Sequence, residues 1–240
     1  MTGNLPAGGG GPLRGGGTLP VDLVIFDCDG VLIDSEVLST RSTVEALALT
    51  GYEIGEADAA KRFVGRSYAS IRKDIETDWG QSLPPSFEVD VEKHTLSAMA
   101  KSLRPINGVA EALAKLPVPR CVASSSSIAW IRRGLERTGL LHHLAPHLFS
   151  ASMVENGKPA PDIFLHAASE MGVLPRNAVV IEDSLPGVQA GFAAGMTVIG
   201  FTGGSHIIDE QEHGEQLRAA GADHVLSDIR DLPDLLAATD

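Results

Sequence analysis

The stretch Leu23-Val24-Ile25-Phe26-Asp27-Cys28-Asp29-Gly30-Val31-Leu32-Ile33-Asp34-Ser35-Glu36 decides the fold. It opens on an apolar run, Val21 to Phe26, interrupted only by Asp22. A run without polar alternation marks a strand covered on both faces, as in a parallel sheet. It stops at two carboxylates, Asp27 and Asp29, followed at once by Gly30. Residues i and i+2 of a strand project to the same side, so both acids leave the strand end toward one region of space. Open α/β sheets bind ligands at the carboxyl ends of their strands. Two like charges this close repel, and a bound cation or a shared proton relieves them. Gly30 allows a sharp turn without a Cβ penalty. A plain acidic turn would explain the same residues, so the rest of the chain has to decide.

At 240 residues the chain can hold a core domain and a smaller companion. A formal charge of −12 argues against non-specific nucleic-acid binding, which needs basic patches. No apolar run approaches the ~20 residues that span a bilayer, so no membrane partner is expected. Cys28 and Cys121 are too few for a disulfide framework, which points to a reducing cytoplasm.

Residues 1–20 are glycine-rich and poor in bulky apolar side chains, the composition of a flexible tail. After the first strand the texture becomes helical, with Val37, Val44, Leu47 and Ala48 expected as the apolar stripe of the first helix and Gly51 beyond its end. Further helical patterns cover roughly 56–63, 68–79 and 85–102. From Pro105 onward helices and strands alternate: strands near 120–123, 148–151, 178–181, 197–201 and 224–226, with helices between them. Such alternation implies a parallel sheet with helices on both faces. The expected fold is therefore α/β, a doubly wound Rossmann-like parallel sheet core with an inserted all-helical domain. Residues 21–34 and 105–240 would form the core and residues 35–104 the insertion.

The residues that follow each strand carry the chemistry. The first strand gives Asp27 and Asp29. The second gives Ser124-Ser125-Ser126-Ser127 opening a helix, whose unpaired N–H groups and hydroxyls suit an anion. The third is followed by Asn156-Gly157-Lys158-Pro159-Ala160-Pro161, where two prolines fix the turn that presents Lys158. The fourth gives Glu182-Asp183-Ser184. Singly these read as caps and surface charges. Together, an acid pair, a donor-rich helix start, a cation and a second acid pair describe a site for a phosphate and a hard divalent cation.

These four stretches, in this order, resemble the four motifs of the haloacid dehalogenase superfamily, in the branch of small phosphatases and phosphomutases that includes β-phosphoglucomutase. The resemblance covers about residues 21–201, and Asp-x-Asp-Gly-x-Leu-x-Asp-Ser-Glu is its most specific part. It implies that Asp27 attacks phosphorus and becomes an aspartyl-phosphate, and that Asp29 is the general acid and base. It implies Mg²⁺ held by Asp27, the Asp29 carbonyl and Asp183, with Glu182 either a ligand or a partner behind them. Ser124, Ser125 and the amides after them would bind phosphoryl oxygens, and Lys158 would neutralise the nucleophile and the developing charge. The helical insertion would be a cap whose loop, Arg62 to Ser67, faces the site, with Arg66 available to an anionic group of the substrate.

The substrate expected is a small phosphorylated metabolite, sugar or sugar-acid phosphate first, and the enzyme is expected to act as a monomer. A hydrolase is favoured over a mutase on the cap sequence. The mutase pattern places a histidine a few residues beyond the Asp-Ser/Thr-Glu region, and Val37-Leu38-Ser39-Thr40 has none. It also places a lysine before the loop glycine and an arginine three residues after it, where this chain has Val64 and Tyr68. A phosphoacceptor signalling domain pairs similar residues, but such domains are about half this length and lack the helical insertion. A binding module on this fold would not need both aspartates.

Overall fold

A computed structural model describes residues 21–63, 66 and 68–237. The glycine-rich stretch 1–20 and the loop residues Val64, Gly65 and Ser67 lie outside the described residues. Six parallel strands form one sheet: β1 (Leu23–Phe26), β2 (Arg120–Ser124), β3 (Leu148–Ser150), β4 (Ala178–Glu182), β5 (Thr197–Phe201) and β6 (His224–Leu226), in spatial order β3-β2-β1-β4-β5-β6. β1 lies inside the sheet, with Phe26 level with Val122 of β2 and Ile181 of β4. The strand order reverses between β1 and β4, and a crevice opens at such a reversal.

The unbroken apolar run of β1 has its reason in the two faces. Val24 and Phe26 pack with Val122, Val179 and Ile181 against α5 (Val109–Lys115), α6 (Ile128–Arg137) and α11 (Leu232–Ala237). Leu23 and Ile25 pack with Cys121, Ala123 and Val180 against α8 (Asp162–Glu170), α9 (Leu185–Ala193) and α10 (Glu210–Ala220). All four side chains are fully buried, each worth about 1.5–3 kcal/mol relative to exposure.

Between β1 and α5 the chain forms α1 (Glu36–Thr50), α2 (Glu56–Phe63), α3 (Tyr68–Trp79) and α4 (Phe87–Ser102). These helices enclose an apolar cluster of their own, with Leu47, Phe63, Ile71, Ile75, Phe87 and Val91 at its centre. The insertion leaves and rejoins the core side by side: Ile33 bridges Pro105, and Asp34 N–H donates to the Arg104 carbonyl. The far end of α4, Met99 and Leu103, packs into the core cluster with Ile33.

Several local expectations need correction. The buried side of α1 is Thr40, Ser42, Thr43, Ala46 and Leu47, while Ala48 is exposed. Buried hydroxyls are tolerated because Ser42 and Thr43 donate to the carbonyls of Leu38 and Ser39, one turn back. α4 begins at Phe87, two residues after the expected start, once the Pro84-Pro85 turn is complete. Ser124 and Glu182 are the last residues of β2 and β4, because ladder pairing to Ser150 and Gly200 continues through them. Two helices were not expected, the single turn α7 (Leu141–Leu144) and the terminal α11. Both are too short for an apolar period to stand out.

Candidate active site

Asp27 follows β1 directly, and its N–H donates to the Ile181 carbonyl, extending the ladder by one bond. Its carboxylate is buried, and Oδ1 accepts from Lys158 Nζ at 2.5 Å. The same ammonium donates to Glu182 Oε1 at 2.7 Å and to the Ala123 carbonyl at 3.2 Å, and it lies 5.0 Å above the Phe164 ring. The loop that delivers Lys158 is closed by Asp162 Oδ2, which accepts from the N–H and the side-chain amide of Asn156. Glu182 spends its second oxygen, Oε2, on the N–H and hydroxyl of Ser184. Burial and the neighbouring carboxylates Glu182, Asp183 and Asp29 push the Asp27 carboxyl well above its usual range, against the pull of Lys158. Burial disfavours the Lys158 ammonium, but Asp27 and Glu182 outweigh it and hold the group charged. The cluster carries more negative charge than its lysine can balance.

Asp29 points elsewhere. Its Oδ1 accepts from Ser35 Oγ at 2.6 Å and from Trp130 Nε1 at 2.9 Å, and its Oδ2 from Ser126 Oγ at 2.6 Å. Ser126 is held in turn by its carbonyl, which accepts from Ser150 Oγ at 2.7 Å. Ser124 is buried at the end of β2, where its Oγ accepts from the Ser126 N–H at 3.1 Å, whereas Ser125 is exposed on the turn. Ser127 caps α6 by accepting from Trp130 N–H.

Asp183 is buried beside these groups. Gly30 has φ +81°, and a Cβ there would stand 1.9 Å from Asp183 Oδ2, so only glycine lets this carboxylate lie against the Asp-x-Asp turn. His206 Nε2 is 3.1 Å from the same oxygen, and His213 Nε2 is 2.6 Å from the Asp183 carbonyl oxygen.

A family model for haloacid dehalogenase-like hydrolases matches residues 21–195, from β1 through the end of α9. The chain belongs to that family. It is 30% identical over 187 residues to the 6-phosphogluconate phosphatase of Escherichia coli K12, covering 78% of this chain and 85% of that one. Among solved structures it resembles a conserved haloacid dehalogenase-like protein of unknown function from Agrobacterium tumefaciens, with TM-score 0.83, 40% identity, and 90% and 98% of the two chains covered. It also resembles a hydrolase of the same family from Deinococcus radiodurans, solved with bound phosphate and sodium, with TM-score 0.78, 32% identity, and 92% and 96% covered. The protein is a phosphoric monoester hydrolase of the haloacid dehalogenase family.

Among the described residues no three acidic, histidine or cysteine side chains converge into a ready-made metal cage. The oxygens of Glu182 are both bonded, but Asp27 Oδ2 and Asp183 Oδ1 enter no hydrogen bond among the described residues. Two open carboxylate oxygens in a negatively charged crevice fit Mg²⁺, which takes one or two carboxylates and completes its shell with water and phosphate.

Arg66 is occupied within the helical insertion. Its guanidinium donates to Ser70 Oγ at 2.9 Å, to the Arg62 carbonyl at 3.0 Å and to Asp74 at 3.3 Å, and Arg62 pairs with Asp74 and Asp78. None of these partners belongs to the carboxylate cluster. Residue reading missed Trp130, Ser126, Ser35 and the two histidines as site residues. Ser126 stood inside the quoted serine run. Trp130 sits two residues into α6, and only the fold carries its indole back to Asp29.

Proposed function

We propose that this hydrolase cleaves a small sugar or sugar-acid phosphate with Mg²⁺, through an aspartyl-phosphate on Asp27. The carrying observation is the Asp27 carboxylate, pinned through Oδ1 by Lys158 with Oδ2 open at the strand end. A carboxylate so fixed is a competent nucleophile. Asp27 Oδ2 attacks phosphorus, the bond to the ester oxygen breaks, and Asp29 gives that oxygen its proton. Asp29 then takes a proton from water as the water attacks the phosphoryl group, and cleavage of the bond to Asp27 releases inorganic phosphate. Lys158, Ser124, Ser125 and the first amides of α6 stabilise the phosphoryl oxygens. Mg²⁺, held by Asp27, the Asp29 carbonyl and Asp183, would supply further neutralisation of phosphoryl charge. We assign Glu182 to holding Lys158 rather than to the metal, since both of its oxygens are engaged.

The helical insertion acts in this reading as a cap that excludes water during the first transfer. Ser35 stands at its hinge and touches Asp29, so cap position and the acid–base carboxylate are mechanically joined. Arg66 is the cap residue offered to an anionic substrate group, which would have to compete with Asp74 for it. Support for hydrolysis over mutation comes from Tyr68, whose hydroxyl lies 3.1 Å from Ser39 Oγ where mutases carry an arginine. Support for the substrate class comes from the 6-phosphogluconate phosphatase relative, and the Deinococcus structure, with bound phosphate and sodium, supports a protein that takes an anion and a cation. No described helix is long and apolar enough to cross a membrane, and both cysteines are free and buried, which suits a reducing cytoplasm.

The test is a panel of phosphate monoesters assayed for free phosphate, with β-glucose 1-phosphate plus a trace of the bisphosphate included. Release of phosphate from sugar or sugar-acid esters is expected. Stoichiometric conversion to glucose 6-phosphate without phosphate release would overturn the hydrolase reading.

A further inference from the structure

The loop between β5 and α10 carries Gly203-Gly204-Ser205-His206, a run to which the reaction above gives no task. The His206 side chain is enclosed, with 4% of it exposed. Two missing Cβ atoms make room for its ring. A Cβ on Gly30 would lie 2.9 Å from His206 Cε1, and one on Gly204 would lie 2.5 Å from the same atom and 3.0 Å from the Gly30 carbonyl oxygen. The imidazole is thus held between the Asp-x-Asp-Gly turn and its own loop, with Nε2 3.1 Å from Asp183 Oδ2. A carboxylate oxygen only accepts, so Nε2 is the donor. Nδ1 is buried with no hydrogen-bond partner among the described residues. A ring with one nitrogen left unpaired is a poor space-filler, and Asp183 is the polar partner that the fold gives it.

The loop has a second tether. Ser205 Oγ donates to the Asp34 carboxylate, 2.7 Å and 2.6 Å from its two oxygens, at the point where the chain enters the helical insertion. From the start of α10, His213 Nε2 approaches the backbone carbonyl of Asp183 at 2.6 Å. Side chain and main chain of Asp183 are therefore each gripped by one histidine.

We propose that His206 is the positioning residue for the Asp183 carboxylate: its Nε2–H engages Oδ2, fixes the plane of the group and presents Oδ1 to the divalent cation. This deepens the Mg²⁺ reading above and rests on it. Hydrogen-bonded partners behind a ligating carboxylate commonly set metal affinity by 10–100-fold. The loop joins the cation ligand to the cap hinge through two consecutive residues, Ser205 and His206.

The test measures binding of Mn²⁺ and Mg²⁺ to full-length protein without substrate, by calorimetry and by the electron paramagnetic resonance of free Mn²⁺. His206→Ala is expected to weaken both cations by roughly 10–100-fold. His206→Gln, which keeps an N–H donor at similar reach, is expected to recover most of that loss. Should His206→Ala fail to fold, His206→Phe, which keeps the volume without the donor, gives the same contrast with His206→Gln. Cation affinity unchanged in His206→Ala or His206→Phe overturns the proposal, as does His206→Gln binding no better than they do. Wild-type protein that binds neither cation overturns the Mg²⁺ reading itself.

Discussion

Trp130 Nε1 donates to Asp29 Oδ1 at 2.9 Å, tying the second aspartate of the motif to a residue 101 positions away. A hydrogen bond is worth about 0.5–1.5 kcal/mol net, and this one also sets the direction of the Asp29 carboxyl group. Trp130→Phe keeps the ring and removes the donor. Its kcat should fall by roughly 10-fold or more with the fold retained, as steady-state rates on the preferred ester would register. Unaltered kcat would mean that Ser35 and Ser126 suffice to aim Asp29.

Asp27→Asn should abolish turnover, by on the order of 10⁴-fold or more, because an amide is a far poorer nucleophile and cannot form the acyl phosphate. The same substitution should alter how stability depends on pH. The folded-state carboxyl is raised above its unfolded value, chiefly by burial, so its contribution is full below about pH 4 and is lost as pH rises through the folded value. In chelator, the wild-type melting temperature should therefore decline with rising pH above about 4 relative to Asp27→Asn. Parallel melting curves for the two proteins at every pH would refute this.

Lys158→Ala should lower the chemical rate and also destabilise the metal-free protein by about 3–5 kcal/mol, since Asp27 and Glu182 would face each other buried and unpaired. Adding Glu182→Gln to Lys158→Ala should restore part of the stability and none of the rate. Denaturant melts alongside single-turnover rates separate the two effects.

Activity should vanish in EDTA and return with Mg²⁺. Asp183→Ala should raise the Mg²⁺ concentration needed for half-maximal rate far more than Ser184→Ala, whose hydroxyl serves Glu182 and the cap of α9. Equal shifts in the two variants would remove Asp183 from the metal set.

Much of this was legible in the chain because strand ends advertise themselves. An apolar run that stops on polar residues locates a strand end without any knowledge of strand order, and Asp27, Glu182 and Asp183 stand at or just past such stops, while Lys158 lies further on, in the proline-fixed loop between β3 and α8. What could not be read was the sideways geometry. The reversal between β1 and β4 brings Asp183 against Gly30, and nothing in the order of motifs states that neighbourhood. The donors to Asp29 come from three separate places, and a tryptophan on a half-buried helix looks like packing until its nitrogen is traced. Arg66 is expected at the site only because the loop 62–67 faces it in the resembling family, whereas its guanidinium bonds Ser70 and Asp74 of α3, partners that a loop arginine does not announce.

The side-by-side crossing at Ile33 and Pro105 has a kinetic consequence. The helical insertion keeps its own apolar cluster and meets the core through that crossing, the Ser35–Asp29 and Ser205–Asp34 hydrogen bonds, Leu38 and the far end of α4, so the amides of its far helices can open and close as a separate unit. The amides of β1, paired on both sides, open only with global unfolding. Hydrogen exchange should accordingly divide the chain into a slow β1 and a faster helical insertion, so that the insertion can loosen while the Asp27 carboxylate keeps its place.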